Sequence, residues 1–411
     1  MSADNAYVIV GASLGGAKGA QALREEGFDG PVVLIGDETE RPYERPPLSK
    51  DYLLGKAERE KIYVHPESWY ADNDVELRLG VRVTEIDPAA HEVVLADGSR
   101  VGYARLLLTT GASPNRLPVP GADHDGVLCL RQVADSDRIK SVFQTASRIA
   151  VIGAGWIGLE TAAAARLAGV EVTILETAEL PLLRVLGPEV AKVFAGLHRA
   201  HGVDLRFGVQ VSGITSAGGQ VRGVRLADGG HVEADAVIVG VGASPNSQLA
   251  AAAGLETRNG IVVDAGLRSS DPDIYAAGDV ANAYHPLLGQ HIRVEHWANA
   301  LNQPAAAARA MLGRGVNYDR VPYFYTDQYD LGMEYAGYVE PGGYDQLVFR
   351  GDVERREFIA FWLSCGQVQA GMNVNVWDVN DTIQDLVRSG QMVDTARLAD
   401  PSVPLDQVAT G

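Results

Sequence analysis

The sequence predicts an α/β chain: two parallel-sheet domains of one plan, the second inserted into the first, followed by a smaller α+β domain. Three observations predict it. Two stretches share the order apolar strand, glycine turn, alanine-rich helix, apolar strand and acidic residue. Each leads, after shorter strands, to a strand that ends in the same five residues, GASPN. From about Pro322 the pattern changes to aromatic-rich strands.

The first copy runs AYVIVGASLGGAKGAQALREEGFDGPVVLIGDE over residues 6–38 and closes with LLLTTGASPN at 106–115. The second runs RIAVIGAGWIGLETAAAARLAGVEVTILE over 148–176 and closes with VIVGVGASPN at 237–246. A single G-x-G-x-x-G arises easily by chance. Two glycine loops of this type in βαβ context, the first with serine at its second glycine position and each trailed by GASPN, make the signal specific. After Asn246 a short strand pair around 261–264 leads to DIYAAGDVAN, in which Asp279 ends a strand before a loop and a helix that begins near Trp297. That segment reads as the closing unit of the first domain. The final section carries YDLGMEYAGYV, EFIAFWLSCGQVQAGMNV and an amphipathic helix near 383–388. The expected boundaries are residues 1–115 with 247–321, 116–246, and 322–411.

The totals agree with such a plan. A chain of 411 residues exceeds what one core supports, since domains run to about 100–200 residues. A formal charge of −18 argues against a nucleic-acid partner, which leaves a basic footprint. No apolar run is long enough for a bilayer span and no export signal is visible, so a cytoplasmic location is expected, with no membrane partner. Cys129 and Cys365 lie far apart and form neither a C-x-x-C pair nor a zinc cluster. His285, His291 and His296 lack ligand spacing, and no metal is expected.

The glycines point to phosphate groups and hence to two Rossmann-like dinucleotide-binding domains. In the second copy Gly153 permits the strand-to-helix turn, Gly155 lets a pyrophosphate approach the backbone, and Gly158 lets helix and strand pack closely. The helix that follows turns its unpaired N–H groups and positive dipole end toward the phosphates. Glu176 stands at the offset of roughly 20 residues at which a carboxylate accepts from ribose hydroxyls, and no neighbouring Arg offers a site for a 2′-phosphate. NAD(H) is therefore expected there rather than NADP(H). The first copy reads Gly11, Ser13 and Gly16, with serine at the second glycine position, and Asp37 and Glu38 sit at its ribose-binding offset. FAD is expected in this copy because the chain adds a second acidic element, Asp279.

Taken together these segments resemble the FAD-dependent NADH:ferredoxin reductases of bacterial cytochrome P450 and ring-oxygenase systems, within the glutathione-reductase fold group. The resemblance spans nearly the whole chain and is carried by the Gly11 loop, RPYERPPLSKDYL at 41–53, TTGASPN, GAGWIGLE at 153–160, VGVGASPN, IYAAGDV and RVEHWANALNQ at 293–303. It implies flavin contacts at Ser13, Asp37, Lys50, Val83, Arg131, Asp279 and Trp297, with Gly15, Gly242, Glu295 and His296 in the cofactor-binding set. It further implies that Lys50 lies at the reactive edge of the flavin and pairs with Glu160, and that these two are the catalytic residues. A cation at that edge favours electron density entering the ring. The helix after His296 would aim its positive end at the flavin's pyrimidine, worth about 0.3–2 kcal/mol toward a negative charge.

Disulfide reductases of this fold group place a cysteine pair where this chain has PPLSKDYL. Hydride from NADH then has no thiol relay, and the resemblance implies single-electron delivery to a [2Fe-2S] ferredoxin. Arg309, Arg314 and Arg320, with Tyr323, Phe324 and Tyr325 close in sequence, are the expected docking patch. A monomer or weak homodimer is expected. The residues leave open a reductase of another acceptor, such as rubredoxin, a nitrite-reductase partner or a quinone. They also leave open a non-catalytic, NADH-sensing flavoprotein.

Overall fold

The computed structural model describes residues 5–410. The chain divides into two compact units, one formed by Met1–Glu44, Arg59–Ser113 and Ala243–Pro322, the other by Arg45–Glu58, Pro114–Gly242 and Tyr323–Gly411. Residues 45–58, which the sequence reading keeps with the first domain, group with the second unit.

In the first unit five short strands form a parallel sheet in the order Ile274–Ala276, Arg105–Leu108, Tyr7–Val10, Val32–Ile35, Val75–Arg78. The strands read as unbroken apolar runs because both faces of the sheet are covered; Val8, Ile9, Leu34, Leu106 and Leu107 are fully buried. The helix Leu14–Glu25 packs against the helix Trp297–Met311. Small residues permit close packing: on Gly15 and Gly19 a Cβ would touch Pro304 of the second helix at 3.6 and 3.7 Å, and on Gly19 it would also sit 2.8 Å from Leu107 Cδ2 in the sheet.

The loop expected after Asp279 is instead a hairpin of Ala281–His285 and Gln290–Arg293, with Ile261–Val263 added in parallel to its first strand. The polar alternation of ANAYH and the turn at Gly289, with φ of 64°, hide this pairing from a search for apolar periodicity.

The second unit repeats the sheet plan, in the order Asp204–Phe207, Glu171–Glu176, Arg148–Ile152, Ala236–Val239, Val127–Leu128, all parallel. It also holds the C-terminal sheet. That sheet is antiparallel, in the order Tyr323–Gln328, Leu331–Gly337, Gln367–Val374, Glu357–Ser364, Gln346–Asp352. The helix Asn380–Ser389 covers one face, and Gly371 admits it closely, since a Cβ there would lie 2.6 Å from Ile383 Cγ2. The helix Trp156–Leu167 packs against both the strand Tyr323–Gln328 and the turn Pro46–Ser49. That packing brings three distant stretches of sequence to one place.

The GASPN copies form two clasps. Asn246 donates from its backbone N–H to the Gly111 carbonyl at 2.9 Å and from its side-chain amide to the Thr110 carbonyl at 2.8 Å. Reciprocally, Asn115 donates from its backbone N–H to the Gly242 carbonyl at 2.9 Å and from its side chain to the Val241 carbonyl at 3.3 Å. Gly111 and Gly242 both adopt positive φ, 66° and 90°, which the turns before the Asn residues require.

Candidate cofactor sites and the Lys50–Glu160 pair

In the first unit Gly11 turns the chain at φ of 118°, and a Cβ there would lie 2.2 Å from the Thr109 carbonyl oxygen. A Cβ on Gly16 would lie 2.1 Å from the Gly11 carbonyl oxygen, so both glycines are required by the close strand-to-helix passage. Ser13 is the residue before the helix Leu14–Glu25. Its φ of −119° is extended backbone that any residue adopts, and its hydroxyl makes no capping bond, so serine replaces glycine here without strain. The helix start therefore keeps its N–H groups for an anion.

The two copies part at the ribose position. In the second copy Gly153 N–H donates to the Leu175 carbonyl and Glu176 follows; in the first, Gly11 N–H donates to the Ile35 carbonyl and Gly36 follows. A Cβ on Gly36 would lie 2.5 Å from Ala12 Cβ, so no acidic side chain fits there. The carboxylates come one and two residues later. Asp37 is exposed and pairs with Arg82 at 3.1 Å, while Glu38 accepts from the Tyr43 hydroxyl. Val83 opens the strand Val83–Asp87 in the same unit.

Asp279 lies in the short helical turn Gly278–Val280, which is tied down by Gly278 N–H donating to Gln303 Oε1 at 2.9 Å. The Asp279 carbonyl accepts from Arg293, which also pairs with Glu295. His296 precedes the helix Trp297–Met311, whose first turn carries no side-chain cap. Burial pushes the His296 imidazole down to about 4, against a smaller opposing effect of Asp279, and the ring is neutral at pH 7. Trp297 donates from Nε1 to Glu44 at 3.2 Å.

In the second unit Gly153 and Gly158 repeat the tight passage: a Cβ on the first would meet the Gly240 carbonyl oxygen at 2.3 Å, one on the second the Gly153 carbonyl oxygen at 2.1 Å. Gly155 behaves differently. Its φ is −80°, and a Cβ there would meet nothing within 4 Å among the described residues. The protein itself does not require glycine at this position; the open space in front of the helix start fits a pyrophosphate. Glu176 accepts from the backbone N–H groups of Ala154 at 2.7 Å and Ala178 at 2.9 Å, which fixes its carboxylate beside that loop. Gly242 serves the Asn115 clasp. Arg131 precedes the helix Val133–Phe143, where its N–H donates to Asp135, and its carbonyl accepts from Arg45.

Lys50 and Glu160 come together in the second unit, Nζ to Oε1 at 2.8 Å, although 110 positions separate them. Both are largely removed from water, with side chains 14% and 5% exposed, so the pair is weakly screened. Lys50 follows the turn Pro46–Ser49, and Glu160 sits one turn into the helix Trp156–Leu167. Ser49 also donates to Glu160, as does Thr326 at 2.5 Å. Those two hydroxyls escaped the sequence reading. Tyr325, expected at the docking patch, places its ring centroid 5.5 Å from Lys50 Nζ.

Arg309 and Arg314, in the first unit, share one carboxylate, that of Glu26, so the pair carries one net positive charge with it. The Arg320 carbonyl accepts from His285, and Phe324 is buried. Cys129 and Cys365 are both free thiols. Among the described residues no group of His, Cys, Asp and Glu could hold a metal, and no helix is long and apolar enough to cross a membrane.

The family model described as pyridine nucleotide-disulphide oxidoreductase matches residues 5–304, and the model described as reductase C-terminal matches residues 323–409. The ferredoxin–NAD(+) reductase component of the anthranilate 1,2-dioxygenase system of Burkholderia cepacia is 42% identical over 98% of this chain and 99% of its own. Putidaredoxin reductase of Pseudomonas putida is 38% identical over 99% of this chain and 97% of its own. Among solved structures, the covalent putidaredoxin reductase–putidaredoxin complex superposes with a TM-score of 0.94 at 37% identity, covering 99% of this chain and 98% of that one. The ferredoxin reductase for the CYP199A2 system of Rhodopseudomonas palustris gives the same TM-score at 36% identity, covering 99% and 100%. The fold, the paired glycine loops and these matches together establish that the chain belongs to the pyridine nucleotide-disulphide oxidoreductases, an oxidoreductase family that works with FAD and NAD(H), as a member carrying the reductase C-terminal domain.

Proposed function

We propose that this protein is an NADH-dependent ferredoxin reductase that supplies electrons, through a [2Fe-2S] ferredoxin, to a cytochrome P450 or ring oxygenase. The balance is one NADH and two oxidised ferredoxins giving NAD⁺, one proton and two reduced ferredoxins. FAD, when bound, supplies the conversion of a two-electron hydride into single electrons. The observation that carries the reading is the buried Lys50–Glu160 pair, whose Lys50 stands in the segment where, by the resemblance, disulfide reductases hold a dithiol. The names of the relatives point the same way.

The roles proposed for the chain's own residues are those the resemblance implies, joined to the chemistry of each side chain. Gly11, Ser13, Gly16, Asp37, Val83, Arg131, Asp279 and Trp297 hold the flavin, and Gly153, Gly155 and Gly158 hold NADH by its pyrophosphate. Lys50 carries positive charge to the reactive edge of the flavin, and Glu160 keeps that ammonium in place. The Glu176 carboxylate accepts from the ribose hydroxyls and repels a 2′-phosphate. Arg309 and Arg314, 58% and 50% exposed, give an acidic ferredoxin a local basic contact on a protein whose net charge is negative. A cytoplasmic location is part of the proposal, since its electron donor is the cytoplasmic NADH pool.

Cytochrome c reduction with NADH tests the reading. It should proceed rapidly only when a [2Fe-2S] ferredoxin is added, with kcat/KM well above that for NADPH. Replacement of Glu176 by Ala should narrow the coenzyme preference by about tenfold or more, the loss of hydrogen bonds to a charged group. A higher kcat/KM with NADPH in the unaltered protein would remove the role given to Glu176. A long-lived NADH-reduced complex that no ferredoxin reoxidises would favour a sensor.

A further inference from the structure

The second unit contains a line of buried polar side chains that the proposed electron path does not use. Along the strand Tyr323–Gln328 alternate residues face inward, and the inward set is Phe324, Thr326 and Gln328. Two of the three are polar at 1% exposure, where the strand period calls for apolar side chains. They are linked to each other and to two further groups. Thr326 Oγ1 lies 2.5 Å from Glu160 Oε1, Gln328 Nε2 lies 3.3 Å from Thr326 Oγ1, and Gln328 Oε1 lies 2.9 Å from Nε2 of His198, which is 0% exposed. The Tyr329 hydroxyl is 3.3 Å from His198 Nδ1, and the Tyr329 ring stacks on His201 at 3.7 Å.

The direction of every bond in this line is determined by its end. A carboxylate paired with Lys50 only accepts, so the Thr326 hydroxyl donates to it. That leaves Thr326 Oγ1 to accept from the Gln328 amide nitrogen. The Gln328 carbonyl then accepts from Nε2–H of a neutral His198, and Nδ1 accepts from Tyr329. Burial, which pushes the His198 imidazole down to about 4, keeps the ring in the neutral form that this order needs. Aligned donors in a dry interior polarise one another toward the charge at the end.

We propose that Thr326, Gln328 and His198 are positioning residues that fix the carboxylate of Glu160, and through it the ammonium of Lys50. The proposal rests on the role given to Lys50 above. A purely structural line would satisfy buried groups and alter stability alone. A positioning line also sets how tightly Glu160 grips Lys50, and so how much of that positive charge the flavin experiences.

The test compares FAD-loaded Thr326→Val, Thr326→Ser, Gln328→Met and Lys50→Met proteins by anaerobic stopped-flow reduction with NADH, and by flavin midpoint potential. Thr326→Val keeps the side-chain shape and removes the donor. It should slow the limiting rate of flavin reduction about tenfold, the effect of losing one hydrogen bond to a charged group, with the Kd for NADH within about twofold of the unaltered protein. It should lower the two-electron reduction equilibrium by about threefold to tenfold, about 15–30 mV, because a Glu160 carboxylate that has lost a donor no longer keeps the Lys50 ammonium at the flavin edge. Thr326→Ser, which keeps the hydroxyl, should restore both values. Gln328→Met, one bond further out, should move both in the same direction by a smaller factor, and serves if Thr326→Val does not fold. Overturning results would be rates and potentials of Thr326→Val and Gln328→Met equal to those of the unaltered protein while Lys50→Met is impaired. An unimpaired Lys50→Met would overturn the reading of Lys50 itself, and this proposal with it.

Discussion

Replacement of Glu160 by Gln removes one charge from the pair with little change of shape. At 2.8 Å and an effective dielectric of about 20, the gross attraction between Lys50 and Glu160 is about 6 kcal/mol. Desolvation of two buried groups offsets much of it. The hydrogen-bond pattern limits what Gln can recover. Oε1 of Glu160 accepts from both Lys50 and Thr326, and Oε2 from Ser49. An amide can keep its oxygen toward Lys50 and Thr326 and turn its NH2 toward Ser49, whose hydroxyl can rotate to accept. What is lost is then chiefly the charge on the hydrogen bond to the Lys50 ammonium, about 2 kcal/mol. Anaerobic stopped-flow reduction by NADH should accordingly show a limiting rate roughly 30-fold lower, with a smaller change in the Kd for NADH. A limiting rate within about threefold of the unaltered protein would make the pair a structural ion pair with no part in hydride transfer.

Further outcomes follow from the same geometry. Gly155→Ala should keep the fold, with a stability change of about 1 kcal/mol or less, and raise the KM for NADH, whereas Gly158→Ala, whose Cβ would lie 2.1 Å from a carbonyl oxygen, should prevent normal folding; thermal unfolding together with NADH titration separates the two, and unchanged NADH binding in Gly155→Ala would contradict the pyrophosphate site. Charge reversal at Arg309 and Arg314 should raise the ferredoxin KM at low salt, and Glu26→Gln, which removes the negative charge shared by both guanidinium groups, should lower it; steady-state kinetics indifferent to all three would remove the docking role. His198 sits near 4 in the folded protein against an ordinary value of 6.5, so the unfolded chain takes up the proton first. Stability is therefore retained above about pH 6.5 and falls as the pH drops toward 4, by up to about 3 kcal/mol. Urea unfolding of His198→Asn should show a flatter profile over that window, and an unchanged slope would count against the assignment.

The repeat was legible because two glycine loops in βαβ context and two GASPN strands are local patterns. The clasp function of GASPN was not, since it depends on Asn115 meeting Gly242 and Asn246 meeting Gly111, partners more than a hundred positions apart. At the ribose positions, counting residues from the glycine loop put Asp37 and Glu176 in similar places, but strand register sets Gly36 opposite Glu176 because Ala12 leaves no room for a side chain. Lys50 and Glu160 were found only through resemblance to a family, for nothing in PPLSK announces a partner in WIGLE. Thr326 and Gln328 were invisible because apolar periodicity is blind to polar residues on an inward face. The arginine patch rests on nearness along the chain, whereas Glu26, which binds two of its members, lies far from them in sequence.

In the proposed reaction hydride enters from NADH and leaves as single electrons to ferredoxin. Sequential-mixing stopped flow tests it most directly: the FAD-loaded protein is reduced anaerobically with one equivalent of NADH, then mixed with oxidised [2Fe-2S] ferredoxin. Two ferredoxins should bleach per NADH, with return of the oxidised flavin spectrum. Flavin that is reduced by NADH and stays reduced in the presence of ferredoxin would contradict it.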